Sequence, residues 1–188
     1  MNPFALALFV AFTAIATAAN ADQKGAWSEA VNGVRARLVI GFDPDFAGTE
    51  MATVHLEIQN VSDVADPKEI WFDPDRCFVG WQLRDETGKA VPRPGAMVAS
   101  IITMGPYWIT LPYDSTLRLR ISVSGYGIRP DGGIALQLPG AFWQVPRRAD
   151  GRYELSVKFV GSAPKDDARR AWHGTLVLPS VRVQDKIK

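Results

Sequence analysis

The stretch Ala52-Thr53-Val54-His55-Leu56-Glu57-Ile58-Gln59-Asn60 decides the fold class. Positions 52, 54, 56 and 58 are apolar and 53, 55, 57 and 59 polar, which is the period of a strand with one face buried and the other wet. The polar loop at residues 60–66 then ends the run. Upstream, Val34, Leu38, Ile40 and Phe42 alternate with Arg35, Arg37 and Val39. Downstream, strands are expected at residues 68–73, 77–85, 97–104, 107–110, 116–124, 134–138, 153–160 and 175–183. The turn Glu86-Thr87-Gly88-Lys89 pairs the 77–85 run with Ala90-Val91. A 3.6-residue period is confined to a turn or two near residues 27–31 and 166–171. The expectation is an all-β chain: an immunoglobulin-like antiparallel β-sandwich of about nine or ten strands with little helix, a barrel being the alternative. The Pro-containing segments at 91–95 and 128–133 are too short to separate independent cores, so residues 22–188 read as one domain.

Residues 1–21 read differently. The first charged side chain in the chain is Asp22, and the segment from Phe4 to Ala19 is apolar. Its apolar centre is too short to span a bilayer and it ends in small residues, the pattern of a secretory signal peptide. Ala19-Asn20-Ala21 fits the small-x-small rule, placing the cut between Ala21 and Asp22 and leaving 167 of the 188 residues. The protein is therefore expected to be exported, periplasmic or extracellular, with no transmembrane segment after cleavage. Cys77 is the single thiol, so no intramolecular disulfide forms. Alternation puts Cys77 on one face with Val79, Trp81 and Leu83, which makes it a buried, inert thiol.

Charge excludes other classes. With 21 Lys+Arg against 20 Asp+Glu the chain has no excess for nucleic acid, and two histidines exclude a histidine-rich metal site. The balance is uneven, however: residues 22–116 hold 8 Lys+Arg and 14 Asp+Glu, and residues 117–188 hold 13 and 6. The basic pairs Arg147-Arg148 and Arg169-Arg170 form a candidate basic patch for an acidic partner, or simply solvated loops.

Four stretches carry a resemblance: residues 54–63 (VHLEIQNVSD), 81–89 (WQLRDETGK), 111–118 (LPYDSTLR) and 150–159, where a Gly turn leads into Tyr153. Together they resemble exported bacterial immunoglobulin-like domains, in which a tyrosine opens a strand near the end of the sandwich. Over residues 52–160 the chain is also loosely similar to the bacterial intracellular proteinase inhibitor family, in its order of Asn-x-Ser, Asp-x-x-Gly and Gly-x-Tyr strands. What this implies is a sandwich that engages a protein; no inhibitory residue carries over.

Candidate sites are few. No Gly-x-Ser-x-Gly elbow, His-Glu-x-x-His or phosphate-cradling loop occurs. A hydrolase would have to be built on His55 or His173, and it is the least favoured class. Phe-Asp-Pro-Asp occurs twice, so Asp43, Asp45, Asp73 and Asp75 are candidate Ca²⁺ ligands, against the plain reading of Asp-Pro-Asp as turn chemistry. Among six tryptophans, Trp71, Trp108 and Trp143, with Tyr107, are candidate stacking faces for a glycan. The leading expectation is a non-catalytic interaction module with an unknown protein partner; a carbohydrate-binding or calcium-assisted ligand module is the alternative.

Overall fold

The computed structural model describes residues 22–44, 50–63, 65–93, 105–122, 134–145, 152–164 and 169–183, and the side chains among these except at 42–44, 50–52, 134 and 135. The leader, the 97–104 strand, Asp45, Arg147 and Arg148 lie outside the described residues, as does the side chain of Asp43.

Eleven strands and no helix occur among the described residues. They are β1 (Gln23–Lys24), β2 (Val34–Pro44), β3 (Glu50–Asn60), β4 (Lys68–Phe72), β5 (Phe78–Arg84), β6 (Tyr107–Leu111), β7 (Thr116–Arg120), β8 (Ile134–Leu138), β9 (Ala141–Val145), β10 (Tyr153–Gly161) and β11 (Gly174–Val183). All strand pairs are antiparallel. One sheet runs β1-β2-β3-β7, a second β11-β10-β5, and β4-β6 and β8-β9 form two ribbons. The chain is thus all-β, as the alternation predicts.

One apolar cluster joins the sheets and ribbons. Val34, Ala36, Leu38 and Ile40 of β2 and Val54, Leu56 and Ile58 of β3 meet Leu155, Val157 and Phe159 of β10, Leu176 and Leu178 of β11, and Trp81 and Leu83 of β5. Phe72, Phe78, Phe159 and Trp172 add ring contacts at centroid distances of 5.8–6.4 Å. Tyr153 opens β10 as expected and is buried in this cluster.

The alternation fails where a residue is inserted. Val79, expected on the core face with Cys77, is 49% exposed, and Phe78 points inward instead. Gly80 adopts φ 72°, and the pairing slips from Ser156↔Gln82 to Lys158↔Val79 across it. Such a bulge turns Phe78 and Val79 to the opposite faces, and a glycine takes the left-handed conformation without strain. Cys77 lies outside β5, in the turn closed by the Asp73 carbonyl, and is buried, as expected. A second bulge lies across β10, where Pro179 and Ser180 stand between Leu178 and Val181. Proline has no N–H to give to the ladder, so it sits at the irregularity.

Other local expectations change as well. Residues 25–30 form no helical turn; Gly25 and Ser28 donate their N–H groups to Leu38 and Ala36 carbonyls along the edge of β2. Ala90 joins Arg84 only by an isolated bridge, although Asp85 Oδ1 organises the predicted turn by accepting from Thr87 and Lys89 N–H groups. Asn60 is fully buried, its Nδ2 donating to the Asp66 and Leu111 carbonyls. Its place in an Asn-x-Ser sequence is therefore structural: the amide closes the loop after β3.

Candidate functional site

Side chains on adjacent residues of a strand point to opposite faces, and this separates the aromatic candidates. On the β4-β6 ribbon the register pairs Phe72 with Tyr107, Trp71 with Trp108 and Glu69 with Thr110. Tyr107 lies over Phe72 at 5.5 Å on the core side, and burial pushes its hydroxyl pKa up. Trp71 and Trp108 share the outer face, half-buried, with ring centroids 5.3 Å apart and planes at 57°. Beside them the Thr110 hydroxyl donates to the Glu69 carboxylate, with Oγ1 2.9 and 3.1 Å from its two oxygens. The Arg169 guanidinium stands 5.0 Å from the centre of the Trp108 ring, close enough for a cation–π contact. Arg170 is exposed next to it in sequence.

The ribbon is fixed along the edge of β4 that does not pair with β6. Trp172 N–H donates to the Glu69 carbonyl, and Glu69 and Trp71 bridge to Ala171 and Ser162. This connection carries Arg169 to Trp108, so two candidate sets that are far apart in sequence become one patch.

Trp143, expected as a surface platform, is 1% exposed. It alternates with Ala141 and Val145 as inward residues of β9, its Nε1 donates to the Val91 carbonyl at 3.3 Å, and it has no surface to offer a glycan. Trp81 and Trp172 are core rings as well, their Nε1 groups donating to the Pro139 and Val31 carbonyls at 2.9 Å. Trp27 is half-buried, with the guanidinium groups of Arg37 and Arg35 4.2 and 4.9 Å from its ring centre.

In the second Phe-Asp-Pro-Asp loop, Asp73 performs turn chemistry. Its Oδ1 accepts the Asp75 N–H at 3.1 Å, Oδ2 lies 3.5 Å from Arg76 Nε, and its carbonyl accepts the Cys77 N–H. Asp75 is exposed. The first copy sits differently: Asp43 and Pro44 continue β2, opposite Met51 and Glu50. Among the described residues no three His, Cys, Asp or Glu groups converge as metal ligands.

His55 is not on a wet face; it is 7% exposed. Arg118 reaches across from β7, donating from Nη2 to His55 Nδ1 at 3.2 Å and from Nη1 to Asp22 Oδ2 at 2.5 Å. Space for the guanidinium comes from Gly41: a Cβ there would stand 2.5 Å from Arg118 Nη2 and 3.1 Å from His55 Cε1. Glu57, also buried, pairs with Arg37 at 2.7 Å. A triad base has its Nδ1–H directed at a carboxylate, whereas this Nδ1 accepts from a guanidinium. His173 is exposed, and its carbonyl accepts from Asn32 Nδ2.

The hydrogen bond to Arg118 holds the Asp22 carboxyl below its ordinary 3.8. Its stabilising contribution is therefore complete above that value and is lost as pH falls through the lower folded one.

No protein-family model, curated protein or solved structure matches the chain.

Proposed function

We propose that the chain is an exported, non-catalytic binding module of the immunoglobulin type that engages a protein partner through the outer face of β4-β6. The observation that carries this reading is the Trp71/Trp108 pair, two half-buried indoles rimmed by Glu69, Thr110 and Arg169. Aromatic residues and arginine surrounded by polar groups are the composition of interface hot spots. The pairing of β2, β3 and β7 in one sheet and β5, β10 and β11 in the other supports the immunoglobulin-type reading, since those sandwiches divide their strands in this order. The apolar leader ahead of Asp22 supports export.

A saccharide ligand is the second reading, favoured by two indoles next to a hydrogen-bonding Glu–Thr pair. The 57° between the ring planes works against it, because one flat sugar face cannot lie on both.

The test is site-specific photo-cross-linking in the producing cell. A photoreactive residue at position 110 is expected to give a discrete protein adduct that Trp71→Ala weakens at least tenfold, with no adduct from position 82 on the outer face of β5. Equal adducts at both positions, or none at 110, would overturn the protein reading. Retardation in glycan-containing gels, abolished by Trp71→Ala, would transfer the same surface to a saccharide.

A further inference from the structure

The outer face of the first sheet carries a second device, independent of the Trp pair. β1 is two residues long and pairs with β2 only through Gln23↔Ile40 and Lys24↔Val39, after which Gly25 and Ser28 continue along the same edge. Ahead of Gly25 only these two backbone pairings hold β1, so side-chain anchoring of Asp22 matters there. Arg118 provides it from the opposite edge strand: the sheet order is β1-β2-β3-β7, and the guanidinium crosses β3 and lies over Gly41 of β2 to reach Asp22.

The same guanidinium donates to His55 Nδ1, and a guanidinium has no acceptor to offer in return. Nδ1 must therefore be unprotonated for the contact to exist. The other described groups on this face are Thr53 and Glu57 of β3, Arg37 of β2, Lys24 of β1, and Arg120, which stands opposite His55 on β7. Thr53 Oγ1 is 3.4 Å from the same Nδ1, and Glu57 is already paired with Arg37. A proton on Nδ1 turns the acceptor into a donor facing a donor and adds a charge beside Arg118, Arg120 and Lys24. The Asp22 carboxylate attracts that charge but is already engaged by the guanidinium that the proton repels.

We propose that Arg118 is a pH-sensitive clasp, holding Asp22 and β1 on the sheet while His55 is neutral and releasing them when His55 is protonated. Residues 25–31 keep their own anchors, the Gly25 and Ser28 backbone bonds and the contacts of Trp27 and Val31. Asp22 does not drive the release: its carboxyl titrates below its ordinary value and stays ionised throughout the imidazole range. Release uncovers the β2 edge at Val39 and Ile40, so acidification opens a strand edge for pairing.

Hydrogen exchange of the full chain, expressed as protection relative to intrinsic rates, tests this between pH 7.5 and 5. Protection over residues 22–25 is expected to fall at least tenfold on acidification, with β10 and β11 changing less than twofold. His55→Asn, whose amide oxygen accepts but does not titrate, is expected to keep the segment protected at both pH values. A segment that loses no more protection than β10 and β11, or a His55→Asn variant that loses as much as the wild type, overturns the clasp. If His55→Asn does not fold, Arg118→Lys at its partly exposed site replaces it: an ammonium cannot bridge both partners as the fork does. A wild-type-sized fall in that variant would likewise overturn the proposal.

Discussion

Trp172→Ala is expected to destabilise the fold by about 3–5 kcal/mol, seen as a lower urea midpoint at unchanged slope. The indole is 4% exposed and lies parallel to Phe159, with ring centroids 5.9 Å apart and planes at 10°. Its Nε1–H donates to the Val31 carbonyl, tying the end of the N-terminal segment to the chain before β11. The slot is made by a cross-strand pair of glycines, Gly161↔Gly174. A Cβ on Gly161 would stand 2.6 Å from Trp172 Cζ3, and one on Gly174 2.7 Å from Cζ2. Removing the ring therefore leaves a cavity with the Phe159 ring on one side and the backbone of the two glycines on another, and backbone collapses poorly into a void. Filling the slot from the other side is expected to harm as well, so Gly174→Val should destabilise by about 1–3 kcal/mol through overpacking. Trp172→Phe keeps a ring over Phe159 but gives up the Nε1–H bond and part of the buried volume, while the Val31 carbonyl still accepts the Val34 N–H, for a loss of about 1–2 kcal/mol. A Trp172→Ala loss under about 1 kcal/mol would mean that the ring does not occupy this slot.

Nothing in the spacing of Gly161, Trp172 and Gly174 announces that slot, because alternation reports which face a residue takes and not what stands against it. The period of two is legible wherever it runs unbroken, as in β2, β3 and β10. It misleads at Val79 because one glycine at positive φ shifts the phase, and the sequence before Gly80 reads the same with or without a bulge. The β9 strand is missed although its signal is present: Pro139-Gly140, with Gly140 at φ 65°, is a turn, and Ala141, Trp143 and Val145 alternate behind it. Read as a hairpin, that stretch assigns Trp143 to the core. The candidate patch is half legible. Trp71 and Trp108 both stand out in the sequence, but Tyr107 next to Trp108 has to face the other way. Arg169 reaches Trp108 through tertiary contacts of Ala171 and Trp172 with β4. His55 follows the period correctly onto the outer face of β3, yet that face is itself covered, since Arg118 crosses it.

The Cys77 thiol is expected to react with a thiol reagent at pH 8 about a thousandfold more slowly than an unfolded-chain cysteine, with denaturant restoring the full rate. Burial is the main cause: it pushes the pKa from 9.0 to about 12, and the nearby Asp73 and Asp75 carboxylates act in the same direction. The Sγ–H donates to the Asp73 carbonyl at 2.7 Å, so a thiolate would confront an oxygen where the thiol has an acceptor. The same shift sets a dependence of stability on pH. Below about pH 9 the thiol is protonated in both folded and unfolded chains, and Cys77 contributes no slope. Between 9 and 12 the unfolded chain gives up the proton that the folded chain keeps, so stability falls as pH rises. At pH 10.5 the loss from this residue is about 2 kcal/mol, obtained as the difference between wild-type and Cys77→Ala urea midpoints at pH 8 and 10.5. Rapid native-state labelling, or equal alkaline losses in the two proteins, would place the thiol within reach of solvent. Slow labelling with the alkaline difference would instead define the second Phe-Asp-Pro-Asp loop as a cap over a core thiol, its first aspartate bonded to the residues that follow it.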